Sequence, residues 1–376
     1  MKKIICIISA ILIIFSNILP IVSNAEESTE YSYVLMEAST KTVVDSDNAD
    51  KQVNCGYLSK LMSILLIAEA IETGKFHLTD ELTASASVTN TKGAVIWLQQ
   101  GDKLTVEELL KGVIIGNAND AMTVLAEKSH RTIEEFVSEM NSRAFDLGLR
   151  NSAFTNPYGY YSEKDYTTAH DIAIISAELM HYEFLEPYFQ TWRDFIKNGQ
   201  TELVSENTLT RTFDGHIGFK ASHSEESGYC ISEAVKRDNT VYIAVVLGTK
   251  DENTSFSTAK NLINKGFREY KVTVPGFLDE LLLPMKVKNG EENAVEIMLK
   301  SQNSVVIPKS ASELTNKIVI PEYITAPIKK GQKIGTMAFY NDDTLVFETD
   351  IITKESVKKS SLLYTFKKAL SNLLKL

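Results

Sequence analysis

Apolar positions along this chain follow two periods, and the alternation between them divides it. Residues 31–36 (Tyr-Ser-Tyr-Val-Leu-Met) and 42–44 (Thr-Val-Val) are β-branched and aromatic runs around a turn, which predicts two short strands. Residues 60–71 are strongly apolar at helical spacing, with Gly74 as a stop signal. A second helix is predicted to open at 105–110. Thr105 is its N-cap, and Glu107 and Glu108 lie in the first turn, where acids meet the positive end of the helix dipole. Helices are also predicted over 121–126, 133–147 and 169–180, with Gly148 ending the 133–147 helix as a residue free to turn left-handed. From about Gly215 the period of two returns. Residues 229–235 and 240–247 read as strands around the polar turn Lys236-Arg237-Asp238-Asn239, and 262–267 as a further helical stretch. Helices enclosed between an early and a late strand pair predict an α+β domain whose antiparallel sheet unites both ends of the segment.

Near Lys271 the pattern changes again. Residues 272–352 alternate short β-rich runs with Gly and Pro, among them Val305-Val306-Ile307-Pro308, 317–321, Ala326-Pro327 and 345–352, and predict a small all-β domain. The end differs from both. Residues 354–376 hold six lysines and one acid, with Leu362, Phe366, Leu370, Leu373 and Leu374 at helical spacing. Such a basic amphipathic helix suits a membrane surface, its apolar face among acyl chains and its lysines near anionic headgroups.

Residues 1–25 have the layout of an export signal. Lys2 and Lys3 precede an apolar run to about Leu19, Pro20 breaks it, and Ser23-Asn24-Ala25 supplies small residues before a cleavage point. The expected organisation is therefore a signal peptide (1–25), an α+β domain (26–271), an all-β domain (272–352) and a membrane-associating helix (353–376). The destination is the outer face of the cytoplasmic membrane or the cell envelope, where ATP and NAD chemistry are not expected.

The whole chain has 376 residues, 39 basic and 49 acidic side chains, and a net charge of −10. With 44% hydrophobic and 23% charged residues it is neither disordered, collagen-like nor a multi-span membrane protein. The acidic balance argues against nucleic acid as a partner. Export would remove two lysines, leaving 351 residues at −12. Three cysteines, Cys6 within the leader, are too few for a disulfide scaffold.

Candidate chemistry begins with absences. There is no GxSxG, HExxH, Gly-rich phosphate loop or CxxC, and His170, His216 and His223 read as structural or surface residues. No metal site and no cofactor are expected. Three short polar sets stand out instead. Tyr57-Leu58-Ser59-Lys60 opens the long apolar helix, Asn117-Ala118-Asn119-Asp120 follows, and Lys220-Ala221-Ser222 precedes a strand.

These sets resemble the SxxK, SxN and KTG elements of the serine D-alanyl-D-alanine carboxypeptidases, the low-molecular-mass penicillin-binding proteins. The resemblance runs from about Tyr31 to the C-terminus. It takes in 34–38, 136–141, 147–149, Phe154-Thr155-Asn156-Pro157-Tyr158-Gly159, Tyr166-Thr167-Thr168-Ala169, the strands around Gly228-Tyr229-Cys230 and 245–248, the β domain with 326–331, and the basic tail. It implies a β-lactamase/transpeptidase-like fold, an antiparallel sheet with helices on both faces plus a helical region. It also implies a peptidoglycan stem peptide ending in D-Ala-D-Ala as the ligand.

The departures fall on the motifs themselves. Tyr57 stands where the family has its nucleophilic serine, while the lysine is kept as Lys60. Asn117 replaces the serine of SxN, whose asparagine is kept as Asn119. KTG becomes Lys220-Ala221-Ser222. In the family the serine attacks the penultimate D-Ala carbonyl and a proton-poor lysine takes its proton. A tyrosine ring carries its hydroxyl roughly a ring length further out, although misplacement by ~1 Å already costs about 100-fold. Asn117 lacks the hydroxyl that relays protons. Ala221 cannot bond the substrate's terminal carboxylate, and Ser222 adds a side chain where glycine admits substrate backbone.

Three readings follow: a catalytically silent family member that binds peptidoglycan or regulates active relatives, an active carboxypeptidase with an unrecognised nucleophile, and an envelope interaction module acting through the β domain. Ser59 adjoins Lys60 but points about 100° away from it, Ser63 lies one turn deeper in the apolar helix, and Tyr57 itself could act only in a different pocket. Cys55 and Cys230 are close to the altered motifs and stay open as a disulfide pair.

Overall fold

The computed structural model describes residues 30–275, 277, 282–311 and 314–366. The expected signal segment and the last ten residues of the tail lie outside the described residues. Among the described residues, no helix is long and apolar enough to cross a membrane.

A period of two organises the main sheet. Ser32–Glu37 pairs antiparallel with Thr240–Thr249, from Ser32 opposite Leu247 to Glu37 opposite Tyr242. Thr42–Asp47 flanks it on one side, and Gly228–Arg237 lies on the other side of Thr240–Thr249. Two short strands, His216–Gly218 and Ala221–Ser224, both pair with Gly228–Arg237. Alternate residues serve opposite faces. Val34, Met36, Ile243 and Val245 enter the larger core with the helices Lys60–Glu72 and Ala169–Leu179. Leu35, Tyr242, Ala244 and Val246 enter a second core beneath the helix Glu252–Glu269. The fold is thus α+β with helices on both faces of one antiparallel sheet, as expected.

Several elements are longer than their sequence pattern. The Glu252–Glu269 helix has 18 residues where six were legible. Only the stripe Ser255, Phe256, Ala259, Leu262, Ile263 and Gly266 is buried, and polar residues between hide the repeat. Gly266 is needed there, because a Cβ would lie 2.9 Å from the Tyr242 ring. The Asn119–His130 helix also extends well past 121–126. Two short antiparallel strand pairs, Glu81–Thr83 with Lys103–Thr105 and Arg193–Ile196 with Thr201–Val204, had no apolar alternation to announce them. Thr105 caps its helix as expected, in a capping box with Glu108.

The C-terminal region has its own core of Met337, Phe339, Ile351, Ile297, Leu299, Ile328 and Val357. Its four-stranded sheet runs Ile297–Leu299, Thr344–Thr353, Lys333–Asn341, Thr315–Val319. Tyr270–Thr273 follows the long helix directly and pairs with Val305–Pro308, so the 271/272 boundary falls inside a strand. Residues 354–360, grouped with the tail from the sequence, do not begin a helix. Val357 bridges Ile328 and is buried in the β core, and helix appears only from Leu362.

One ion pair is sealed inside the sheet. His216 Nδ1 lies 2.7 Å from Glu233 Oε1, and its Nε2 lies 3.2 Å from the Phe189 carbonyl. Both ring nitrogens therefore face oxygen atoms, and the pair shares its protons in a site where burial also raises the pKa of Glu233, against the opposing bond and charge of His216. Burial opposes a charge on the ring, and the Glu233 bond, the Glu233 charge and the Phe189 carbonyl overcome it, so the His216 pKa is raised above 6.5. The other carboxylate oxygen of Glu233 accepts from Asn207 Nδ2 at 2.8 Å.

Removing one partner of such a pair leaves a buried charge, at a cost of about 3–5 kcal/mol. His216→Ala is expected to lower the melting temperature most below pH 6.5. A group with a raised folded pKa stabilises fully below its unfolded value and loses that contribution as pH rises through the folded value. The gap between wild type and variant, measured by thermal melts from pH 5 to 9, should narrow toward the alkaline end.

Candidate functional site

The altered motifs meet in one cleft. Gly56–Ser59 forms a single 3-10 turn that runs straight into the Lys60–Glu72 helix. Three-residue spacing in such a turn puts Tyr57 and Lys60 on one side. The Lys60 amine lies 4.6 Å from the Tyr57 ring centroid and donates to the Asn117 carbonyl at 2.7 Å. Lys60 is 0% exposed. Burial, then the charge of Lys220, hold its pKa well below the ordinary lysine value against the pull of Glu206.

Asn117 has φ +57°, a left-handed conformation that asparagine tolerates better than most residues. Its Nδ2 donates to Glu206 Oε2 at 3.0 Å. Asn119, first residue of its helix, donates through Nδ2 to the Lys92 carbonyl at 2.7 Å and to the Tyr160 hydroxyl at 3.3 Å. Because each Nδ2 is held by an acceptor, the orientation of both amides is set. Their Oδ1 atoms are buried without a partner. Asp120 accepts from the Ile96 and Leu98 amides and so pins the preceding segment to the same helix start.

The Tyr57 ring reaches across the cleft toward that segment. A Cβ on Gly93 would lie 3.5 Å from the Tyr57 hydroxyl and 2.9 Å from Asn119 Nδ2. Behind Tyr57, Gly159 at φ +80° comes so close that a Cβ would sit 2.7 Å from the Tyr57 Cα and 2.4 Å from the Gly56 carbonyl oxygen.

Lys220 completes the set from the strand side. Its buried amine donates to the Ile114 carbonyl at 2.6 Å and the Val113 carbonyl at 3.2 Å. Burial lowers its pKa to about 8, with Glu206 opposing. Ala221 presents only a buried methyl group, and Ser222 Oγ donates to the Cys55 carbonyl at 3.0 Å.

Tyr57, Lys60, Asn117, Asn119, Lys220, Ala221 and Ser222 are therefore brought together. Glu206, Tyr160 and the 92–94 segment join them without having been legible. Glu206 lies in a short polar loop with no periodicity or motif to mark it. The alternative serines are engaged elsewhere. Ser59 Oγ donates to the Gly56 carbonyl at 3.0 Å, and Ser63 Oγ, fully buried, donates to the Pro157 carbonyl at 2.9 Å. Cys55 and Cys230 are both free and buried. Burial, with the neighbouring Cys230, pushes the Cys55 thiol well above its ordinary value, and burial pushes Cys230 up to about 12.

Among known proteins, the family profile for D-alanyl-D-alanine carboxypeptidase matches residues 21–251, and that for the penicillin-binding protein 5 C-terminal domain matches 279–359. D-alanyl-D-alanine carboxypeptidase DacF of Bacillus subtilis is 30% identical over 346 residues, covering 91% of this chain and 89% of that protein. DacC of Escherichia coli is 28% identical, covering 93% and 90%. The crystal structure of penicillin binding protein 5 from Haemophilus influenzae superposes with a TM-score of 0.80 at 24% identity, over 87% of this chain and 97% of that one.

Two outcomes are expected from this geometry. Cys55 and Cys230 should resist a thiol-specific disulfide reagent in the native protein at pH 8 and both react after unfolding, as read by absorbance of the released thiolate. Gly159→Ala should cost about 1–3 kcal/mol in chemical denaturation. Gly148→Ala, also at positive φ but with open space around it, should cost less.

Proposed function

The chain belongs to the D-alanyl-D-alanine carboxypeptidase family, and from that premise we propose that it is a cell-wall member of the family that binds peptidoglycan stem peptides without cleaving them. The single observation that carries this reading is the Tyr57 ring lying over the Lys60 amine, its centroid 4.6 Å away. In an acyl transfer a serine hydroxyl beside a proton-poor lysine attacks the peptide carbonyl and passes its proton to the amine. Here burial and the Lys220 charge lower the amine's pKa, but an aromatic face covers it and its hydrogen bond goes to the Asn117 carbonyl.

Other losses support the same reading. Asn117 offers an amide committed to Glu206 in place of a hydroxyl, and Ala221 offers a methyl group in place of a carboxylate donor. Catalytic groups act as a unit, and deleting a nucleophile alone can cost on the order of 10⁶-fold in kcat. The reading of an active enzyme with another nucleophile has less support, since Ser59 and Ser63 hold backbone carbonyls.

A role as a binding or regulatory partner of active relatives goes with export and with attachment to a membrane surface through the tail that begins at Leu362. For the attachment, the described start of the tail helix leaves Leu362 92%, Leu363 64% and Phe366 67% exposed.

The test is covalent. Purified protein incubated with a fluorescent penicillin is expected to give no band that survives denaturation, and no D-alanine should be released from a stem pentapeptide. A denaturation-stable adduct on the wild-type chain would refute the reading. The combined variant Tyr57→Ser, Asn117→Ser, Ala221→Thr, Ser222→Gly is expected to gain labelling, whereas Tyr57→Ser alone is not.

A further inference from the structure

Beside the Ala221–Ser224 strand lies a cavity of about 300 Å³, at the lower end of the size of small-ligand sites. Trp192, Glu206, Tyr229, Glu252, Ser255 and Phe256 are in its wall, and neither lysine nor arginine is. Two carboxylates and aromatic rings with no lining lysine or arginine are the chemistry that receives an organic cation, with His223, also in the wall, stacked on one face of Tyr229 at 4.0 Å. One face of Trp192 already carries such a group, the Arg211 guanidinium, whose central carbon is 4.0 Å from the ring centroid.

The hydrogen-bonding groups point the same way. Ser255 is 1% exposed and its hydroxyl, in the cavity wall, has no partner. Asn117 Oδ1, on the residue bonded to Glu206, is also buried and unpartnered, and its amide cannot turn over without losing that bond. The amide oxygen calls for a donor, and the serine hydroxyl can accept from one as well. The cleft's own cations are turned elsewhere: the Lys60 and Lys220 amines donate to the carbonyls of Asn117, Val113 and Ile114, and neither lysine lines the cavity. A free carboxylate entering here would meet two carboxylates, Glu206 and Glu252, and no lining lysine or arginine.

We infer that this cavity binds the primary ammonium group of a basic peptide side chain, so that the cleft selects an amine-bearing peptide over one presented by its terminal carboxylate. Glu206 and the aromatic rings hold the charge, and Ser255 accepts an N–H. The inference rests on the proposed non-cleaving role, yet it is tested by equilibrium binding, which is independent of penicillin labelling.

The experiment titrates the full-length protein with Nα-acetyl-L-lysine methylamide and with its Nε-acetylated counterpart, followed by calorimetry. The free amine is expected to bind at least about ten-fold more tightly than the acetylated probe, the scale of one charge-assisted hydrogen bond. Glu206 is exposed, so Glu206→Gln should leave the melting temperature unchanged and weaken the amine probe about ten-fold, and Ser255→Ala about three-fold. Equal affinity for the two probes, wild-type affinity in Glu206→Gln, no saturable binding of either probe, or tighter binding of N-acetyl-D-Ala-D-Ala would each overturn the inference. Tighter binding of 1,5-diaminopentane than of the lysine probe would overturn its assignment to a peptide. A penicillin adduct on the wild-type chain would strike the non-cleaving role while leaving the amine titration to stand or fall by itself.

Discussion

The buried Lys60 amine, held on the Asn117 carbonyl, is the contact on which the cleft depends. It ties the first residue of one core helix to the left-handed turn that starts another. A charged amine in that setting would need an anion within reach, and the cleft supplies only a shared one, Glu206. Burial and a second lysine resolve the conflict by lowering the pKa, which fits hydrogen bonding to a neutral carbonyl. The same conflict governs Lys220, whose amine also ends on backbone carbonyls. Two buried amines that share one acid make a cleft whose positive charge is muted by burial, with Glu206 as an exposed negative charge at its side.

That arrangement gives the motif changes a common sense. The Tyr57 ring covers the Lys60 amine, its centroid 4.6 Å away. Asparagine at 117 fits a left-handed turn and gives Glu206 a donor. Ser222 finds the Cys55 carbonyl and ties the strand to the 3-10 turn. Each substitution is satisfied by its surroundings, with the exposed acid and the orphaned amide oxygens as the remaining open valences of the site.

Much of this was legible in the sequence, for identifiable reasons. The strands of the main sheet alternate, and so Val34, Leu35 and Met36 declare two faces. The apolar helix from Lys60 and the capped helix from Thr105 carry their signals locally. The seven motif residues were found by their order and their neighbours. Glu206 was not, because its importance arises only when a loop folds over two distant lysines. The Glu252–Glu269 helix was under-read because a single buried stripe among polar residues leaves little contrast. The extended 354–360 segment was hidden for the opposite reason, since its lysines and serines resemble the tail while one residue, Val357, is claimed by the β core.

Gly159 lies against the backbone of residues 56 and 57, where the nearest atoms to a Cβ would be main-chain ones. The turn is thus located by main-chain packing, like a socket made independently of the tool it holds. The place of residue 57 in the cleft is a property of the backbone fold, to which any side chain at that position is delivered.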